Sequence, residues 1–190
     1  EEQLPQLKDV VSSVGQSWLN ADEQVKPIPE AEGIPVDANL VELIAAASSS
    51  LDSPLKRSIE RGRELFASEA AACVKCHGSL GHGDGQNQDY DDWTKDWTIR
   101  IDLDPTNEKD LIPLMARGAL PPRRILPRDF REGVYRGGSA PEKLYHRIAF
   151  GIDGTPMPSI EGNVAEQDIW HLVNFVRSLA EPEKQEATGK

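Results

Sequence analysis

Ala70-Ala71-Ala72-Cys73-Val74-Lys75-Cys76-His77 is the stretch on which the reading of this chain turns. It holds both cysteines of a 190-residue chain, two residues apart, with a histidine directly after the second. As a structural disulfide the pair would close a loop too small to be an ordinary choice. A zinc site wants four sulfur or nitrogen ligands. His77 and His82 could supply two, but His77 adjoins Cys76 awkwardly and no second cysteine pair exists. A thioredoxin-like pair goes with a βαβ setting, and no strand-like alternation surrounds this one.

Two thiols three positions apart lie about one helical turn apart, which matches the two vinyl groups on one edge of a haem. Addition of each thiol across a vinyl gives two thioether links. The adjacent His77 then points its imidazole at the iron from one face. The motif therefore predicts covalent haem c held by Cys73 and Cys76, with His77 as proximal iron ligand. It uses every cysteine present, so one haem is expected.

The opposite face of the iron has five candidates, Met115, Met157, His82, His146 and His171. Met157 lies in Gly151-Ile152-Asp153-Gly154-Thr155-Pro156-Met157-Pro158-Ser159, where prolines on both sides restrict the backbone and lower the entropic cost of holding a ligand. Met115 falls on a predicted helix and reads as a core filler. His171, off the main stripe of the last helix, reads as exposed, His146 reads as a surface or boundary residue, and His82 is too near His77 to reach the far face. Met157 is the expected distal ligand.

On the N-terminal side of the motif, Ser53-Pro54 reads as an N-cap with proline just inside a helix. Leu55, Ile59, Gly62 and Phe66 share one face of that helix. Beyond the motif, four glycines (78, 81, 83, 85) mark a tight irregular loop. Residues 86–127 begin acidic, then offer one helix from Glu108 to Arg117, after which Pro121, Pro122 and Pro127 break any regular element. Ser139-Ala140-Pro141-Glu142 predicts a capping box for a helix carrying Leu144, Tyr145, Ile148 and Ala149. Asn163 is the expected cap of a last helix that buries Ile169, Trp170, Leu172, Val173, Val176 and Leu179.

Toward the N-terminus, Leu7, Val10, Val11, Val14 and Trp18 form one stripe of an amphipathic helix. A Pro- and Glu-rich linker (Lys26 to Pro35) leads to a short helix capped by Asp37. There is no internal repeat. The expected class is all-α. The expected division is a helical extension over 1–52, a core domain over 53–182 and a charged tail over 183–190.

The chain resembles the class I c-type cytochromes over about 54–181. The residues that carry this are Gly62-Arg63-Glu64-Leu65-Phe66, Cys73-Val74-Lys75-Cys76-His77-Gly78, Gly81-His82-Gly83-Asp84-Gly85, Leu144-Tyr145-His146-Arg147-Ile148, Thr155-Pro156-Met157-Pro158-Ser159, and Ile169-Trp170 with Val173 and Phe175. The resemblance implies a cytochrome c fold with His/Met ligation, and first and last helices crossing where Gly62 and Phe66 meet Trp170. Eighty positions separate His77 from Met157. Residues 94–127 therefore read as an insertion relative to compact members, and the N-terminal extension is also additional.

Charge narrows the partners. A formal net charge of −11 argues against a nucleic-acid surface, and no apolar run reaches the ~18 residues of a membrane span. Thioether attachment requires reduced apocytochrome on the oxidising side of a membrane, so a periplasmic or otherwise exported protein with its signal peptide removed is expected. Residues 117–136 hold six arginines against two acids, a local net +4. These read as a solvated surface, as haem-propionate partners (Arg124, Arg128 and Arg131 foremost), or as a docking patch. The expected function is electron transfer between redox partner proteins in a respiratory-type chain, with no catalytic residues. The alternatives are an electron-transfer subunit of a larger oxidoreductase, or a haem protein with an open catalytic or gas-binding site.

Overall fold

Ser53 opens the helix on which the molecule is assembled. Its hydroxyl accepts the Lys56 N–H at 3.1 Å, and Pro54 fills the first turn, where no backbone donor is needed. The computed structural model describes residues 3–85 and 89–181. The charged tail expected from 183 lies outside the described residues.

The described α-helices run in the order α1 (Gln3–Leu19), α2 (Leu40–Ser48), α3 (Pro54–Ala67), α4 (Val74–His77), α5 (Asp92–Arg100), α6 (Glu108–Met115), α7 (Pro141–Phe150) and α8 (Glu166–Ser178). Two antiparallel two-residue strands, β1 (Asp89–Tyr90) and β2 (Arg124–Ile125), pair Asp89 with Ile125 and Tyr90 with Arg124. The class is all-α, as the sequence predicts.

The principal contact is α3 against α8, with α7 and α2 packed on α8. Ile59 and Phe66 from α3, Tyr145 from α7, and Ile169, Leu172 and Val173 from α8 are almost wholly removed from solvent. Each such side chain contributes roughly 1.5–3 kcal/mol of apolar burial. The crossing is possible because position 62 has no side chain. A Cβ there would strike the His171 carbonyl and lie 2.6 Å from the Phe175 Cβ.

The sequence assigns Trp170 to this crossing, and the structure corrects that. Phe175 lies at Gly62 and meets Phe66 edge-on, with ring centroids 5.2 Å apart. Trp170 faces the other way. Its ring is 4.5 Å from that of Tyr145 and its indole N–H donates to the Pro29 carbonyl at 3.1 Å.

Residues 28–38 lie along α8 and are bound to it through backbone carbonyls. The Asn174 amide donates to Pro35 at 3.3 Å, and the Arg177 guanidinium donates to Val36 and Ala38, both at 2.9 Å. This extended run displaces the expected Asp37 cap. Asn39 caps α2 instead, in a reciprocal box with Glu42. Leu43 then reaches the core with no exposed surface.

Two other expected caps are absent. Ala140 and Ala165 occupy the N-cap positions of α7 and α8 with no side-chain bond. Pro141 sets the first turn of α7 by its fixed φ. Asn163 is held instead in a tight turn, its N–H donating to the Ile160 carbonyl at 3.0 Å, while Glu166 and Asp168 place negative charge in the first turn of α8.

Candidate functional site

Between α3 and α4 the chain turns sharply. Ala72 takes φ 52°, a left-handed conformation rare for alanine, and α4 follows at once. The His77 N–H donates to the Cys73 carbonyl at 2.9 Å, so Cys73, Cys76 and His77 are brought together on a single turn. Both thiols are free and half-buried. Burial pushes the Cys73 thiol up to about 11. Burial thus keeps the sulfur uncharged, and a thioether sulfur is likewise uncharged.

The glycine loop closes directly on this turn. The Gly83 and Gly85 N–H groups donate to the His77 and Cys76 carbonyls at 2.9 and 3.1 Å. A Cβ at Gly85 would lie 2.5 Å from the Cys76 carbonyl. Any side chain at that position would push the loop off the motif.

The His77 ring is held from two directions. Its Nδ1 lies 3.3 Å from the Arg128 carbonyl. A carbonyl only accepts, so Nδ1 carries the proton and the Nε2 lone pair is left for a metal. The Phe130 ring stacks on the imidazole at 4.5 Å between centroids and 22° between planes. Burial lowers the His77 pKa below the ordinary imidazole value, with the Arg128 carbonyl opposing, so the neutral, ligating form is favoured. Two thiols not joined to each other, a neutral imidazole of fixed tautomer and an aromatic surround fit a covalently attached haem.

Met157 is half-buried in the loop between α7 and α8. Its N–H donates to the Thr155 hydroxyl at 3.3 Å and its carbonyl accepts the Ile152 N–H at 3.2 Å. The first turn of α5 abuts this loop: the Asp92 N–H donates to the Gly154 carbonyl at 3.3 Å, and the Trp93 indole closes over Gly154. Met115 is half-buried at the end of α6.

The three arginines read as propionate partners differ in freedom. Arg131 grips Asp129 through one edge of its guanidinium, Nε and Nη2 each donating to the carboxylate. Arg124 lies over the Tyr90 ring at 5.9 Å. Arg128 faces Glu132 at 3.7 Å, beyond hydrogen-bond distance.

Sequence reasoning missed Phe130 and the Arg128 carbonyl. A carbonyl has no sequence signature, but Phe130 is the only aromatic residue between Trp97 and Tyr135, and that isolation was a usable signal. His146 is exposed, as expected. His171 is not: it is half-buried, with Nδ1 2.8 Å from the Ser58 hydroxyl. The side-chain-free position 62 brings the two helices close enough for that bond. Ser58 and His171 line a cleft of about 330 Å³ with Ile34, Pro35, Arg57 and Arg61, and no residue of the cysteine motif reaches its wall.

Comparison with known proteins gives one family, described as Cytochrome c, whose model matches residues 59–180. Among solved structures, a chain titled "Kuenenia stuttgartiensis reducing HAO-like protein complex Kustc0457/Kustc0458" is similar, with 27% identity and a TM-score of 0.49. The match covers 85% of this chain and 55% of that one, so this chain spans about half of that protein's length. No curated protein matches. The family match takes in most of α3, the Cys73–His77 turn, the Met157 loop and all of α8, well over half of the sequence. This chain therefore belongs to the cytochrome c family, haem-based electron-transfer proteins that hold haem c covalently.

Proposed function

We propose that the protein carries single electrons between redox partner proteins on one haem c, attached through Cys73 and Cys76 and ligated by His77 and Met157. The observation that carries this reading is the His77 imidazole, anchored by its Nδ1 proton to Arg128 within one turn of two free thiols. When bound, the haem supplies a one-electron iron couple. The protein's residues do the rest. The thiols fix the group in place, the Arg128 carbonyl orients the imidazole and raises its basicity, and Phe66 and Phe130 exclude water beside it. Met157 is the proposed distal ligand, on a loop stiffened by Pro156 and Pro158 and abutted by Trp93. Arg128 is the first choice for a propionate partner, because Arg131 is already committed to Asp129. We place the protein outside the cytoplasm, in a respiratory-type chain.

Met157→Ala tests the ligation. The variant should lose the weak far-red absorption of sulfur-ligated iron(III), bind cyanide or carbon monoxide readily, and show a lower reduction potential, because a soft neutral donor is gone. Met115→Ala should do none of these. If the two variants exchange behaviours, the distal ligand is Met115. If the wild type already binds carbon monoxide readily, the site is open and catalytic or gas-binding chemistry replaces simple transfer.

A second reading, an electron-transfer subunit of a larger oxidoreductase, is favoured by α1. Val10, Val11, Val14, Trp18 and Leu19 are exposed along it, and its main neighbour is the 3-10 turn directly after it. Among the described residues no helix is long and apolar enough to cross a membrane. Gel filtration of native extract separates the readings: a free carrier elutes near the size of the single chain, a subunit with its complex.

A further inference from the structure

We propose that Phe130 is a positioning residue for His77: stacked on the imidazole while the neighbouring Arg128 carbonyl holds its Nδ1 proton, it fixes the plane of the axial ligand. This inference rests on the reading of His77 as an iron ligand.

A single hydrogen bond at 3.3 Å leaves the imidazole free to swing about the N–H···O line. A flat ring 4.5 Å away and inclined by 22° removes that freedom, within the geometry of offset aromatic stacking. Both constraints come from one segment, two residues apart. Each of them makes the other more effective.

The Phe130 ring is itself immobilised, which a positioning device needs. It is 8% exposed. Phe66 meets it edge-on at 6.4 Å and Tyr135 lies 6.2 Å away. Gly81 is pressed so close that a Cβ there would lie 2.8 Å from the Phe130 ring. The Phe130 N–H donates to the Gly81 carbonyl at 2.8 Å, and the Asp129 carboxylate accepts the Arg131 N–H at 3.0 Å to set the turn. Through Phe66 and Phe175 the ring is coupled to α8, so the helix crossing is mechanically linked to the ligand plane.

The orientation of an axial imidazole sets how unpaired spin in iron(III) is spread over the haem. It is read in the pattern of paramagnetically shifted haem-methyl proton resonances and in the g-value spread of the ferric protein. The test uses the haem-loaded protein with Phe130→Leu, which keeps apolar volume but loses the flat face, and Phe130→Tyr, which keeps the face. The Leu variant should show a changed order or spread of methyl shifts with the far-red methionine band retained, and the Tyr variant should keep the wild-type pattern. An unchanged pattern in the Leu variant overturns the proposal. In the wild type, nuclear Overhauser contacts between the Phe130 ring and the His77 Nδ1 proton are expected, and their absence overturns it even if neither variant folds. A wild-type protein without His-ligated covalent haem overturns the underlying reading as well, whereas a normal haem with an unmoved pattern overturns this inference alone.

Discussion

At the level of single residues, Cys73, Cys76 and His77 share one turn, the arrangement that the proposed attachment needs. Their nearness was legible in the sequence because the three lie within five consecutive positions. Arg128 enters through a carbonyl that any residue would supply. If the proposed attachment holds, replacing Cys73 or Cys76 by Ala removes one thioether, and the expected outcome is impaired maturation with little coloured protein, measured as haem absorbance per chain. Ala72 offers a stability test. Its left-handed backbone costs an alanine roughly 1–2 kcal/mol, partly offset in glycine by a more flexible unfolded chain. Ala72→Gly should therefore stabilise the protein by about 0.5–1 kcal/mol, seen as a higher guanidinium midpoint with an unchanged haem spectrum. A lower midpoint would show that Ala72 has other roles.

At the level of elements, hydrophobic periodicity located the longer helices but not α5, which lies in the acidic stretch that offered only the helix from Glu108, and capping residues located their ends poorly. Every buried position expected on α8 is at least half-buried there, because apolar burial outweighs any one cap. Asp37, Ser139 and Asn163 fit the cap signature but were claimed by other geometry: extended backbone along α8, a proline-initiated turn, and a tight turn after Ile160. The choice of Trp170 at the helix crossing failed for a related reason. Two aromatics five positions apart face different ways on a helix, and only the acceptor Pro29, far off in sequence, decides which side Trp170 serves. Gly62 was read correctly as the contact point. Gly62→Val should destabilise by at least the ~1–3 kcal/mol typical of overpacking, since one of the atoms it would meet is the backbone carbonyl of His171, which cannot yield as a side-chain tip can. Chemical denaturation checks this. A wild-type midpoint would mean that α3 and α8 are further apart than described.

Across the whole molecule, the N-terminal part divides in a way composition could not reveal. The stretch from Lys26 to Pro35 looks like a linker because its binding groups are carbonyls, yet with Val36 it holds Trp170, Asn174 and Arg177 in place. Removing residues 1–27 should leave the thermal midpoint near wild type, whereas removing 1–48 should lower it sharply, because Leu43 and five carbonyl acceptors are lost with it. The half-buried His171 adds a pH dependence. Burial lowers the His171 pKa from 6.5, with Asp168 opposing and Arg61 reinforcing. The unfolded chain then takes up that proton first, and stability falls as pH drops below the ordinary histidine value. Denaturation midpoints at about pH 7.5 and about pH 5.5 should differ less in His171→Gln than in the wild type; an equal difference would exclude His171 as the source. All of this architecture serves the proposed attachment of a single haem to Cys73 and Cys76. Its decisive test is to unfold the purified holoprotein in guanidinium at about pH 8 with a thiol-alkylating reagent present, where a free cysteine reacts as its thiolate, and then to measure the intact mass under acid conditions. The expected mass is that of the chain plus one haem, with no alkylated cysteine. A bare chain carrying two alkyl groups would contradict it.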